Sequence, residues 1–196
     1  ILWRASKAYA NALVEALRAG QPQMFVSEEE PFGGFHTDAA AVSAAIMGMH
    51  DSDKATRLVS IEILGSLSTP EVTNNLVTAL TDDDALIRSA ALRGLTRARA
   101  SSALLDIAAS LTDPEPYVRL QAVDSLRQLS RHPRGVSVHI EPLLVDQDPQ
   151  VRARSAQTLL SFGAHPKAKN ILYEMAADSD LIMRVHALNA LAECGD

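Results

Sequence analysis

The chain has a single cysteine, Cys194, in 196 residues, which excludes an internal disulfide and any cysteine-based zinc site. That usage is compatible with a reducing compartment. Aromatic residues make up only 4% of a chain that is 47% hydrophobic, so Ala and Leu must fill the interior. Such an interior suits closely packed helices better than a sheet, which favours β-branched and aromatic residues. No run approaches the roughly eighteen uninterrupted apolar residues of a membrane span. The first segment also lacks the basic, apolar and small-residue order of a signal peptide. Eighteen basic and 24 acidic residues leave a net charge of −6, with no global attraction to nucleic acid. Because it begins at Ile1 rather than Met, the chain reads as a soluble, cytoplasmic region of something longer.

Signs of catalysis are equally scarce. There is no glycine-rich phosphate loop, no zinc-spaced histidine pair and no nucleophile elbow. His132 and His139 are separated by Pro133 and Gly135, so helical spacing does not align them as ligands. Asp82-Asp83-Asp84 could in principle hold a hard cation, but two of the three are explained by the repeat described next. Cys194 has no His or basic residue fixed beside it, so no thiolate chemistry is assigned to it. The sequence therefore points to no catalytic residue, no metal and no cofactor.

What is present is a repeat. An Asp, an Arg six residues on, a small residue three later and a Leu four after that recur in five copies. They are Asp51/Arg57/Ser60/Leu64, Asp82/Arg88/Ala91/Leu95, Asp113/Arg119/Ala122/Leu126, Asp146/Arg152/Ser155/Leu159 and Asp178/Arg184/Ala187/Leu191. The Arg-to-Arg steps are 31, 31, 33 and 32 residues. A fixed period of this length marks an array of stacked units rather than one closed core. The units fall at about 37–68, 69–99, 100–131, 132–163 and 164–196, each a helix, a short acidic turn and a second helix. The first helices are expected over 38–49, 70–80, 101–111, 135–145 and 166–177, with Pro142 kinking the fourth. The second are expected over 54–67, 85–98, 116–130, 149–162 and 181–193. Asp53, Asp84, Glu115, Asp148 and Asp180 fall at the N-cap of the second helices, with Glu115 the poorest cap.

Residues 1–36 form a separate cap: an amphipathic helix from Leu2 to Ala19, then an irregular connector carrying Phe25, Phe32 and Phe35. Those rings either fold back over the open end of the first unit or offer a partner-binding epitope. Within each second helix, the small residue, the residue after it (Ile61, Leu92, Val123, Ala156, Leu188) and the Leu share one face. Five recurrences of the same Asp and Arg argue for a stacking device, since a catalytic pair is needed only once.

The Asp and Arg six apart, flanked by helix pairs, resemble HEAT repeats over about residues 37–196. The resemblance implies an all-α fold: a right-handed α-α superhelix, or solenoid, of five helical hairpins with an N-terminal capping helix. It also implies a hydrogen-bonded ladder of Asp51, Arg57, Asp82, Arg88, Asp113, Arg119, Asp146, Arg152, Asp178 and Arg184 running from one repeat to the next. The short period is similar to that of bacterial HEAT-like repeats, including those of phycobilin lyases. Tyr9-Ala-Asn-Ala-Leu-Val-Glu-Ala-Leu-Arg18 resembles soluble regions that follow bacterial transporters of the ATP/ADP-antiporter or major-facilitator type.

The expected function is that of a non-enzymatic scaffold binding a protein or a neighbouring domain of the same polypeptide. Its candidate contacts are Arg93, Arg97, Asp124, Gln128, Arg154, Gln157 and Asn189. Nucleic acid is the rival partner: residues 88–169 hold twelve Lys/Arg against seven Asp/Glu. Against it, the row five residues after each ladder Arg reads Glu62, Arg93, Asp124, Gln157 and Asn189, and a phosphate-tracking stripe keeps one sign. A phycobilin-lyase-like activity is the other alternative.

Overall fold

The computed structural model describes residues 15, 18–19, 39–130, 133–163 and 165–194. Most of the expected N-terminal helix, and the connector with Phe25, Phe32 and Phe35, lie outside the described residues. Among the described residues there are ten α-helices and no strand. The chain divides into two compact units, residues 1–100 and 101–196.

The first unit contains α1 (Ala39–Gly48), α2 (Lys54–Leu64), α3 (Pro70–Thr78) and α4 (Ala85–Arg97). The second contains α5 (Leu104–Ala109), α6 (Pro116–Leu129), α7 (Pro133–Ile140), α8 (Pro149–Ser161), α9 (Pro166–Ala176) and α10 (Leu181–Cys194). They pair in order as hairpins.

The second helices of the hairpins start where the acidic N-caps put them. Asp53 accepts from the Thr56 amide, Asp84 from the Leu86 amide, and Asp148 from the Gln150 and Val151 amides. Asp180 accepts from the Ile182 amide at 2.8 Å. Each satisfies first-turn donors that the helix itself leaves unpaired, typically worth about 1 kcal/mol. Glu115, one methylene longer, makes no such bond. Pro116 and Pro149 occupy the first helical position, where a missing amide hydrogen costs nothing.

The first helices end differently from expectation. Three of them hand over to a 3₁₀ turn, at Ala79–Thr81, Ser110–Thr112 and Glu141–Val145. Pro142 therefore does not kink a continuous helix. It lies in the 3₁₀ segment that follows α7, where the different hydrogen-bond register spares its missing donor. In all five hairpins the repeat Asp closes this end in the same way. Its amide donates to the carbonyl three residues back, at 3.1–3.3 Å, for Asp51, Asp82, Asp113, Asp146 and Asp178.

The small position is fully buried in every copy, and so are Ile61, Leu92, Val123 and Ala156 beside it. The repeat Leu is buried throughout, each such side chain contributing roughly 1.5–3 kcal/mol. Leu188 departs from the pattern: it is exposed. Small residues allow close approach most clearly in the first unit. A Cβ added to Gly65 would lie 2.8 Å from the Gly94 Cα, so α2 and α4 meet there backbone to backbone.

Two of the small positions are serines, Ser60 and Ser155, whose buried hydroxyls have no hydrogen-bond partner among the described residues. Ala91, Ala122 and Ala187 fill the same position in the other copies. An unpaired buried hydroxyl costs about 1–3 kcal/mol. Ser155→Ala is therefore expected to stabilise the protein by about 1 kcal/mol, read as an increased urea midpoint at unchanged slope. A loss of stability would mean that the hydroxyl is satisfied in solution.

Candidate functional site

Each ladder Arg first turns back on its own hairpin. The Nη1 of Arg57, Arg88, Arg119, Arg152 and Arg184 donates to the carbonyl of the Asp six residues earlier, at 2.5–3.0 Å. It also donates to the carbonyl of the next residue. Each Asp braces the same turn, its Oδ1 accepting from the amide two residues on at 2.8–2.9 Å. The motif is thus a clasp on the inter-helix turn before it is a link between hairpins.

Links run from an Arg to the Asp of the following hairpin. Arg119 grips Asp146 with two donors, Nε to Oδ2 at 2.8 Å and Nη2 to Oδ1 at 2.6 Å, and both side chains are largely buried. Asp146 pushes the Arg119 guanidinium above its ordinary value. Arg57 stands 3.5 Å from Asp82. Between the fourth and fifth hairpins the expected rung to Asp178 is replaced, since Arg152 instead places Nη2 against the sulfur of Met183. At the other end of the array Arg18 supplies a rung that the period did not reveal, its Nη2 lying 2.7 Å from Asp51. The Asp51 carboxyl is held below the ordinary range, chiefly by the Asp53 amide and then by Arg18. Lys54 and Asp84 add a second link at 2.6 Å, and Lys54 is the main cause of the lowered Asp84 value.

The candidate contact residues form a second set of links. Arg97 donates to the carboxylate and to the carbonyl of Glu62, and Arg93 lies 3.7 Å from the same carboxylate. Arg154 pairs with Asp124 at 3.2 Å, and the buried Gln157 side chain donates to Glu193. Burial pushes the Asp124 carboxyl up, with Arg154 and then Arg127 pulling it back. Gln128 and Asn189 are exposed. Each pair joins the second helices of successive hairpins, so much of the basic excess is already matched inside the fold.

Two open depressions in the second unit flank the Gln157–Glu193 contact. One of about 420 Å³ is lined by Arg154, Gln157, His186, Asn189 and Glu193. The other, of about 710 Å³, is lined by Arg127, Gln157, His165, Lys169, Glu193 and Cys194. Of the candidates, Arg154, Gln157 and Asn189 converge on the smaller depression, while Arg93 and Arg97 lie in the first unit. Among the described residues no group of three His, Cys, Asp or Glu side chains could hold a metal ion. No described helix is long and apolar enough to cross a membrane.

Hairpins of near-constant length, with an Asp–Arg clasp at each turn and small residues at the seams, define an all-helical repeat protein. The chain belongs to the HEAT-repeat family, whose pattern matches residues 40–127 and 102–192. Among solved structures it is similar to a HEAT-like repeats protein from the archaeon Thermococcus onnurineus NA1. That match has 18% identity over 94% of this chain and 80% of the other, with a TM-score of 0.58. It is also similar to a chain in the complex of CpcE and CpcF of phycocyanin lyase from Nostoc sp. PCC7120. There the identity is 20% over 84% of this chain and 68% of the other, with a TM-score of 0.54. At these identities the likeness is one of fold. No curated protein matches the sequence.

Proposed function

We propose that the protein is a non-enzymatic scaffold that binds another protein, or a neighbouring domain, through the second-helix face of its hairpins. The observation that carries this reading is the small depression in which Arg154, Gln157 and Asn189 converge. Donors and acceptors alternate there: Arg154 is matched by Asp124, Gln157 by Glu193, and Asn189 stands open. Such a mixed lining suits the polar rim of a protein interface. Phosphate binding calls for unmatched positive charge along a continuous path, whereas Arg93, Arg97 and Arg154 already face carboxylates of their own chain.

A photo-crosslinking residue placed at Asn189 is expected to capture one protein species from source lysate, and the same residue at Lys167 on α9 is expected to capture none. Arg154→Glu should abolish the Asn189 crosslink. A salt-titrated nucleic-acid assay runs beside it. Affinity for nucleic acid that falls steeply with salt, together with crosslinks that survive Arg154→Glu, would overturn the proposal. The further reading, that this is a cytoplasmic module of a larger transporter-like protein, rests on the resemblance of Tyr9 to Arg18. Twelve apolar segments in the reading frame upstream would support it.

A further inference from the structure

The third and fourth hairpins lie inside the array, with described hairpins before and after them in chain order. Counting eight residues back from each repeat Asp gives the row Ser43, Asn74, Leu105, Val138 and Asn170. All five are exposed, yet only the third and fourth hairpins place a large apolar side chain there. Leu105 is 76% exposed. Counting eleven back gives Ala40, Glu71, Ser102, Gly135 and Lys167. Gly135 alone in that row has no side chain, although glycine is a poor residue inside a helix. A Cβ added to it would meet no atom within 4 Å, so the first turn of α7 leaves room beside it.

Both departures border one depression of about 390 Å³ in the second unit. Leu104 and Leu105 of α5, Leu129 at the end of α6, and Gly135, Val136 and His139 of α7 line it. Leu129 and Val136 belong to the core, and α5 and α7 each pack on α6 rather than along one another. No carboxylate, Lys or Arg lines the depression, and its one ionisable group, His139, makes no hydrogen bond among the described residues. A partner helix laid in a groove needs apolar anchors over about two turns. Here the lining spans one turn of α5 and one of α7, and the exposed Asp106 directly follows Leu105. The volume instead matches small-molecule sites of about 300–1,000 Å³, which are mostly apolar with a few placed polar groups.

We propose that the depression between α5 and α7 binds a small aromatic molecule bearing a single hydrogen-bonding group. The ring system occupies the space beside Gly135, against Leu104, Leu105, Leu129 and Val136, and its polar end meets the His139 imidazole. A bound molecule bridges two first helices that do not pack along each other, and so stiffens the seam between the third and fourth hairpins. The inference is independent of the Arg154–Asn189 depression, and its failure would leave that reading standing.

The probe is 2-naphthol, titrated into the full chain and followed through the methyl resonances of its Leu and Val residues. Saturable shifts at one molecule per chain are expected at Leu104, Leu105, Leu129 and Val136, with slower amide exchange in α7. Gly135→Leu fills the space, and Leu105→Asn restores the residue type of the second and fifth hairpins. Each should weaken binding about tenfold or more. Gly135→Leu adds helix propensity and Leu105 is exposed, so neither should lower the melting temperature of the free chain. His139→Ala removes one hydrogen bond and should weaken binding about threefold to tenfold. Shifts that do not saturate, or that spread equally to exposed side chains elsewhere such as Val145 and Leu181, would overturn the proposal. Binding that survives both Gly135→Leu and Leu105→Asn would overturn it as well. So would a protein partner that perturbs these methyls while 2-naphthol does not, by assigning the depression to a macromolecule.

Discussion

Asp146→Ala is expected to destabilise the protein by about 3–5 kcal/mol, the cost of leaving one partner of a buried ion pair behind. Asp146 has a side chain only 6% exposed, and that of Arg119 is 13% exposed. Removing the carboxylate strips both Nε and Nη2 of Arg119 of their acceptors and removes the Oδ1 that holds the Asp148 amide. The comparison that makes the measurement decisive is Glu62→Ala. Glu62 also faces two arginines, but its pairs are nearly half exposed, and surface ion pairs are worth about 0–1 kcal/mol. Urea denaturation of both variants reads the difference. Equal losses would show that burial does not set the strength of the seam.

The second large effect is expected at Gly65. Its Cβ would stand 2.8 Å from the Gly94 Cα and 3.3 Å from the Ile61 carbonyl oxygen, and backbone cannot swing away as a side-chain tip can. Gly65→Ala should force α2 and α4 apart and cost about 1–3 kcal/mol. Gly94→Ala is the informative partner. Its Cβ would meet the Leu76 methyl carbons at 3.1 and 3.4 Å, which can give by a few tenths of an ångström. Alanine also gains about 1 kcal/mol of helix propensity over glycine inside α4. Gly94→Ala should therefore be near neutral while Gly65→Ala lowers the melting temperature. The reverse order would mean that the helices do not meet through the glycine backbones.

Much of the architecture could be read before any coordinates, because one device recurs. Asp and Arg at a fixed offset mark every turn, and the acidic N-caps, two of them followed by Pro, place the second helices within a few residues. The first helices were harder to bound. A 3₁₀ turn such as Ala79–Thr81 or Glu141–Val145 keeps apolar spacing close to that of an α-helix, so periodicity does not reveal the change of register. Arg18 was invisible for a different reason. A connector outside the repeat separates it from Asp51, so no period relates the two.

The cross-helix pairs had a usable signal that periodicity alone did not expose. Glu62 and Arg97 are 35 residues apart, and Gln157 and Glu193 are 36 apart. Asp124 and Arg154 are 30 apart. Each interval is one repeat lengthened or shortened by about a helical turn, which brings side chains on neighbouring parallel helices level. Arg93 and Arg97, candidate contacts in the sequence, also face Glu62 once α4 is set beside α2.

The self-directed clasp of each arginine bears on how such a chain can change length. Because Arg57, Arg88, Arg119, Arg152 and Arg184 all tie down their own turn, a duplicated or deleted hairpin travels with its fastening intact. An insertion or excision of one whole period disturbs only the junction where it occurs, while a cut at half a period strands a guanidinium without its turn. Lineages descended from this gene should therefore differ in size by multiples of the repeat, with their breakpoints in the loops between hairpins.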